Sequence, residues 1–424
     1  MGIIDEKWED LFNKYDIEHR ISQDGLFYIT ADQIKKFKEP RLMTKFDTAD
    51  SLPRIFRNKI SILPVTRGKY VLGNFSLYEE LPEINHSIKH MTNVIIPDFY
   101  QTIDLNNITS EANAINVMGM TGILDDFLDE DNMIQTISGR MSSGCFDFKV
   151  HDIERKKHSM LTVQNSQIEI DGGFENQNVF ALIEGKNVVH SNFLVRQLYY
   201  PYRLWTNKIN KPIRNIFMIY SNNIFRLLEY EFYELENYNS ARLIQEKNYS
   251  LEEVDINLED IISVYRNTKV LSEPSVTFVQ ADSFSKVISL VEHLNESPLT
   301  SVEIAEIFGF DERQSDYYYN ACRYLGLAKK QRDEENKVRV SITKLGSDLL
   351  KMTYKKRQLA YVQLILQHKI FNDIFITTLD NGDIPDKQFV KKRMYELDVC
   401  SEKLISRRAS SVVGWIRWIM NLIN

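Results

Sequence analysis

The spacing of apolar residues changes at about residue 144, and that change constrains the fold more than any other feature of the chain. Residues 146–150 (Phe-Asp-Phe-Lys-Val) alternate with the period of two that sends every second side chain to one face of a strand. Residues 160–163, 167–170 and 179–183 read as further strands, with a turn at Gly172-Gly173 and a bridge at 175–178. Residues 193–204 return to helical spacing, and Pro201 must bend or end that helix. Residues 213–220 and 225–233 then read as strands again. The order helix–strands–helix–strand predicts a mixed α/β core.

A chain of 424 residues corresponds to two to four domains at about 100–200 residues each. Ahead of the core, residues 5–15 and 31–37 have helical spacing, the second with Thr30 as its N-cap. Two short strands, 60–65 and 70–72, flank a basic turn at 66–69. Helix, helix and basic hairpin outline a winged-helix-like unit over residues 1–95. Residues 98–130 look helical, with Ser110 capping a helix that carries Glu111, Ile115 and Met118, an interruption at 119–122, and a resumption at 123–127. This segment and the strands form the expected central domain, 96–270, whose end at 240–275 reads as an acidic linker or peripheral helix. Beyond it, 284–294 is amphipathic, Thr300 caps 302–308, Gly309 ends that helix, and Asp311 caps another that Gly326 ends. A charged hairpin over 329–342 follows. Three helices and such a hairpin predict a winged helix-turn-helix. With helices over 348–375, 387–397 and 411–422, it fills the third expected domain, 271–424.

The formal net charge is −7, which argues against a polyanion partner, but the distribution argues for one. Residues 35–70 hold ten Lys/Arg against three Asp/Glu, residues 184–214 six against one, and residues 386–424 eight against four. Phosphate binding depends on such local patches rather than on the total. The cysteines Cys145, Cys322 and Cys400 are odd in number and widely spaced, so neither a disulfide framework nor a zinc pattern is expected. The first residues carry charge where a signal peptide needs an apolar run, and no stretch of 18 uncharged apolar residues occurs. A reducing, cytoplasmic setting is the expectation.

The chemistry concentrates where Asp171 ends one strand and Glu184-Gly185-Lys186 ends another. The period of two puts Glu184 and Lys186 on one face, and pairing of the strands brings Asp171 opposite Glu184. Two carboxylates and an ammonium at converging strand ends make a hard-oxygen site suited to Mg²⁺, which takes one or two carboxylates and completes its shell with water and phosphate oxygens. The Gly185 carbonyl, Glu169 on the face of Asp171, and Glu111 on the upstream helix are candidates for further oxygens. Without a metal the acids repel one another and at least one pKa should rise. Lys186 is expected to orient an attacking water or to stabilise charge on phosphorus. The competing reading is a surface hairpin whose acid and base form exposed ion pairs worth little.

Asp171 followed by Glu184-Gly-Lys186, on strands flanked by helices, resembles the PD-(D/E)XK nuclease superfamily. The first acid here follows Ile170 rather than proline. Gln197-Leu-Tyr-Tyr-Pro201 resembles the helix that packs over the site in some members. Residues 41–47, 52–56 and 62–70, and the terminal 406–419, look like parts of one group of type II restriction endonucleases. The resemblance implies a central mixed sheet flanked by helices. It also implies Asp171, Glu184 and Lys186 as catalytic residues, Mg²⁺ as cofactor and double-stranded DNA as substrate. A homodimer and a DNA methyltransferase encoded nearby are implied as partners.

Candidate DNA contacts come from the basic patches and from the second helix of the C-terminal helix-turn-helix. They are Arg41, Lys45, Arg67, Lys69, Gln197, Arg313, Gln314, Tyr317, Asn320, Lys329, Lys330, Arg407 and Arg408. No GxGxxG, GxxxxGK[ST], GxSxG or HExxH motif occurs, which removes dinucleotide, P-loop, serine-hydrolase and zincin chemistry from consideration. His190 is expected to support the site or the fold. Tyr199, Tyr200, Tyr202 and Trp205 are expected in the core rather than stacked on bases. Two alternatives remain: a winged-helix transcription regulator without nuclease activity, and a DNA repair nuclease of the same superfamily.

Overall fold

A computed structural model describes residues 3–423 except 57–58, 93, 95, 98, 106 and 310–311. The amino-terminal part is built from α1 (Ile3–Tyr15), α2 (Ile17–Asp24), β1 (Leu26–Thr30), α3 (Ala31–Lys35), α4 (Pro40–Thr44), β2 (Ser61–Thr66) and β3 (Lys69–Gly73). Its three strands form an antiparallel sheet in the order β1-β3-β2. Thr30 starts α3 by the expected mechanism: its hydroxyl accepts from the Gln33 N–H, and the Gln33 side chain accepts from the Thr30 N–H. The apolar stripe of α1, Trp8, Leu11 and Phe12, closes over Phe27, Ile29 and Phe56. The Trp8 indole N–H finds the Met43 carbonyl at 2.9 Å.

The central part contains β4 (Tyr78–Glu80), β5 (Ile88–His90), α5 (Glu111–Met120), α6 (Ile123–Leu128) and β6 (Ile134–Ser142). It continues with β7 (Cys145–Asp152), β8 (Lys157–Gln164), β9 (Gln167–Glu175), β10 (Phe180–Lys186), β11 (Asn192–Leu194) and α7 (Arg196–Thr206). Next come β12 (Ile213–Ser221), β13 (Ile224–Phe232), β14 (Ala241–Ser250) and α8 (Leu258–Asn267). Seven strands make one mixed sheet in the order β5-β14-β13-β12-β10-β9-β6. The pairs β10–β12 and β14–β5 are parallel, and the rest antiparallel. α5 and α6 cover one face through Ile115, Met118 and Phe127, and α7 covers the other through Leu198 and Tyr199. The chain is therefore a mixed α/β protein with a helix-flanked mixed sheet at its centre. Of the α7 aromatics expected in the core, Tyr199 and Tyr200 are fully buried, and Tyr202 and Trp205 are half-buried against it.

Several local expectations are corrected. Gly172 and Gly173 do not turn; they lie inside β9, and the reversal comes at 176–179. A Cβ at Gly172 would stand 2.9 Å from Ile115 Cγ2, and one at Gly173 would stand 2.3 Å from Ile137 Cγ2, so the glycines are there for close packing. The strands at 146–150 and 160–163 form the separate hairpin β7–β8 rather than part of the main sheet. The polar stretch 240–275, expected as a linker or peripheral helix, holds the helix α8 but begins with a strand. Residues 241–250 are the strand β14, held by charge pairing across to β13, where buried Arg226 meets half-buried Glu246 at 2.8 Å. The strands of the first 95 residues divide among three sheets, because β1–β3 form their own, β4 pairs with β11 and β5 with β14.

The carboxyl-terminal part comprises α9 (Phe284–Glu296), α10 (Ser301–Phe308), α11 (Glu312–Tyr324), β15 (Ala328–Arg332) and β16 (Val338–Ile342). The helices α12 (Lys344–Leu350), α13 (Tyr354–Leu366), α14 (Lys369–Asn381), α15 (Lys387–Glu396) and α16 (Glu402–Met420) complete it. Thr300 and Glu303 form a reciprocal cap on α10, and Gly309 ends it at φ +66°. The expected cap of α11, Asp311, lies outside the described residues. This part docks on the end of the central sheet. The hairpin between β12 and β13 turns at Asn222 and Asn223, both with positive φ. There the half-buried Glu292 of α9 accepts from Ser221 Oγ at 2.7 Å and from the Asn222 N–H at 2.8 Å. Among the described residues no helix is long and apolar enough to cross a membrane.

Candidate functional site

β9 and β10 run together only part of the way. Their register extends from Phe180 opposite Glu175 to Ile183 opposite Gly172. From Ile170 back to Gln167, β9 stays with β6 instead. The strands therefore part at Asp171 and Glu184, and the gap between them is where polar side chains collect. Asp171 Oδ2 accepts from the Gly185 N–H at 3.0 Å, which fixes the carboxylate beside the last residues of β10. Lys186 Nζ lies 2.5 Å from Glu184 Oε1. Gln197, one residue into α7, donates to the same oxygen of Glu184. Its own Oε1 is buried without a partner. The spacing Glu184-x-Lys186 thus delivers what the period of two required, one face shared by acid and base.

Glu111 joins them from α5, whose first turn is fixed by Ser110 accepting from the Asn113 N–H at 3.1 Å. Its carboxyl accepts from the Asn187 backbone and lies within the fields of Lys186 and Asp171. A fourth carboxylate, Asp47, arrives from the amino-terminal part, and its charge acts on both Glu184 and Lys186. Lys45 is 3.4 Å from Asp47 and also acts on Glu111. Asp47 ends the 41–47 stretch noted in the sequence but was not among the expected site residues, because nothing local relates residue 47 to residue 184. What holds it there is long-range: Leu194 N–H donates to the Asp47 carbonyl at 2.9 Å, and Ala49 N–H donates to Asn192 Oδ1 at 2.8 Å.

Two ammoniums, Lys186 and the more exposed Lys45, among four carboxylates leave the site with surplus negative charge, and the pKa directions follow. Burial, reinforced by Asp171, raises Glu184 from the usual carboxylate range to about 8. Burial raises Glu111 as well, with Asp171 adding to it. Burial works to lower Lys186, but Glu184, Asp47 and Glu111 overcome it and the ammonium is held above its ordinary value. His190, near the site, is pushed down to about 4 by burial and by the charges of Lys186 and Lys286, so it stands as a neutral ring. A site with this balance gains by taking up a proton or a cation. Among the described residues no three His, Cys, Asp or Glu side chains converge into a ready-made metal cage. Asp171, Glu184 and the Gly185 carbonyl offer hard oxygens in the number that Mg²⁺ takes from a protein when water and phosphate complete its shell.

Glu169 does not join the group. Its carboxylate is exposed and pairs with Arg140 of β6 at 3.2 Å, because β9 has left β10 by that point. Of the expected DNA contacts, Arg41, Lys45, Arg67 and Lys69 are exposed on the amino-terminal part, with Lys69 4.3 Å above the Tyr28 ring. Gln197 is in the site itself. Arg313 and Gln314 are exposed on the first turns of α11. Together with Tyr317, Arg407 of α16, Ala49, Asp50 and Leu52, they line a cleft of about 570 Å³. Asn320 is half-buried and accepts from Arg323 at 2.8 Å. Lys329 and Lys330 are exposed on β15, and Lys330 lies 4.5 Å over Tyr319. Arg408 is a correction: it is 7% exposed and turned toward Cys400, on the buried face of α16 opposite Arg407.

Three family models match the chain. All are described as domains of unknown function: DUF6996 over residues 5–72, DUF6997 over 73–250 and DUF7226 over 286–424. Their boundaries fall at the end of β3, at the end of β14 and at the start of α9. The site described above lies in the second, with Asp47 supplied by the first. No curated protein and no solved structure matches the chain.

Proposed function

We propose that this protein is a Mg²⁺-dependent, sequence-specific double-strand DNA endonuclease with a PD-(D/E)XK type of centre, acting as a type II restriction enzyme. One observation carries the reading: Asp171 and Glu184 sit where β9 and β10 part, with Lys186 two residues beyond and Asp171 tied to the Gly185 N–H at 3.0 Å. Asp171, Glu184 and the Gly185 carbonyl would hold the metal. Bound there, Mg²⁺ supplies a more acidic water and offsets charge on the scissile phosphate. Lys186, an ammonium with three donors, orients the attacking water and a phosphate oxygen. Gln197 holds Glu184 by one oxygen and keeps it aimed at the gap. Water attacks phosphorus in line, the 3′ oxygen leaves, and the product keeps a 5′-phosphate.

One such site cuts one strand, so a homodimer suits a palindromic target. A DNA methyltransferase encoded nearby and a cytoplasmic setting go with this reading. A second reading, a DNA-binding regulator, is favoured by the helices α9–α11 followed by the basic hairpin β15–β16, the arrangement of a winged helix-turn-helix. The test is incubation of the purified protein with plasmid and phage DNA and Mg²⁺, beside Asp171→Ala and an EDTA control. Discrete fragments that vanish in both controls support the nuclease. Intact DNA with a gel shift supports the regulator.

A further inference from the structure

We infer that the cleft between residues 49–52, the start of α11 and Arg407 reads the bases of the target within a few base pairs of the cut. This inference rests on the nuclease reading and adds to it where the sequence is recognised. Three stretches far apart in the chain meet here, and they do so rigidly. A Cβ added to Gly309 would stand 2.3 Å from Thr48 Oγ1 and 3.5 Å from Ser51 Cβ, so the end of α10 at Gly309 is pressed against the amino-terminal segment. That segment is in turn clamped to β11 by the bonds of Asp47 to Leu194 and of Ala49 to Asn192. Lys286 of α9 adds a bond to Ser191 Oγ at 3.0 Å. β11 leads directly into α7, which presents Gln197 to Glu184.

The cleft is therefore held close to the catalytic gap. Asp47 acts on the charges of the site, and the wall of the cleft begins two residues later. Three residues of extended chain span about 11 Å at most, which on a duplex is about three base pairs at about 3.4 Å each. Its chemistry suits base edges and backbone. Arg313 and Arg407 are exposed and form no ion pair with a carboxylate among the described residues. Arginine pairs with guanine O6 and N7 or with phosphate, and glutamine such as Gln314 with adenine N6 and N7. A recognition unit on a flexible tether cuts at a distance from the sequence it reads. One locked to the catalytic gap reads and cuts the same few base pairs.

The experiment uses the full-length protein. The wild-type ends are mapped on phage DNA, and the double variant Arg313→Ala/Gln314→Ala and the single variant Arg407→Ala are assayed on duplexes carrying a cut site. Binding to those duplexes and to scrambled ones is measured in EDTA. The expected result is cutting within about five base pairs of the positions that define the site, with discrimination between target and scrambled duplex reduced about tenfold or more in either variant. All altered side chains are exposed, and the assays are run well below the thermal midpoint of each variant. If the wild type cuts nothing, the nuclease reading falls and this inference falls with it. If the wild type cuts but neither variant loses discrimination, or the ends lie more than about ten base pairs from the defining positions, the inference alone is overturned.

Discussion

At the scale of residues, the site is a charge imbalance held by burial. Glu184 is 6% exposed and its folded pKa is raised to about 8. An acid whose folded pKa lies above its unfolded value stabilises the fold at low pH and loses that contribution as pH rises through the folded value. The metal-free protein is therefore expected to lose thermal stability between about pH 5 and pH 8. Glu184→Gln should flatten that slope in thermal melts run with EDTA. Asp171→Asn is expected to abolish cutting while leaving the melting temperature equal or higher, since it removes one of four repelling carboxylates. A fall of several degrees would show that Asp171 is structural instead. Asp47→Asn should lower the cleavage rate by about 10–100-fold and raise the Mg²⁺ needed, the usual size for a group that supports metal ligands. Asp47→Glu should restore part of the rate in the same Mg²⁺ titration, which a purely structural role would not predict.

At the scale of elements, the local rules worked where signals were local. The caps at Thr30, Ser110 and Thr300 lie where the sequence puts them, and Glu184-x-Lys186 ends a strand with both side chains on one face. What was illegible depends on partners far away. β6 is an exposed edge strand, and β14 reads as polar until Arg226 and Gln245's partner Glu229 are placed beside it. Gly172-Gly173 looks like a turn because the pattern of a strand says nothing of Ile115 or Ile137 pressing on it. Gly173→Ala is expected to cost about 1–3 kcal/mol by overpacking, read as a lower denaturation midpoint at unchanged m-value. Gly309→Ala combines positive φ with the approach of Thr48. It should loosen the contact between α10 and the amino-terminal segment, and protease sensitivity between residues 40 and 60 should rise.

At the scale of the whole molecule, the three matched regions are not beads on a string. The first sends Asp47 into the centre of the second, and the third grips the β12–β13 hairpin with Glu292, Arg357 and Gln358. The net charge of −7 is compatible with DNA because exposed basic residues cluster locally, Arg41, Arg67 and Lys69 in the first region and Arg313, Lys329 and Arg407 in the third. Binding should therefore weaken steeply with salt, as counterions are released from phosphates. The catalytic claim rests on Asp171, Glu184 and Lys186 acting together on phosphodiester bonds. The most direct test is end-mapping of DNA incubated with wild-type protein and Mg²⁺, in parallel with Asp171→Ala and Lys186→Ala of matched thermal stability. Discrete 5′-phosphate ends that appear only with the wild type, and disappear with EDTA, are the predicted result. Equal cutting by either variant, or binding to DNA without any cutting by the wild type, would contradict it.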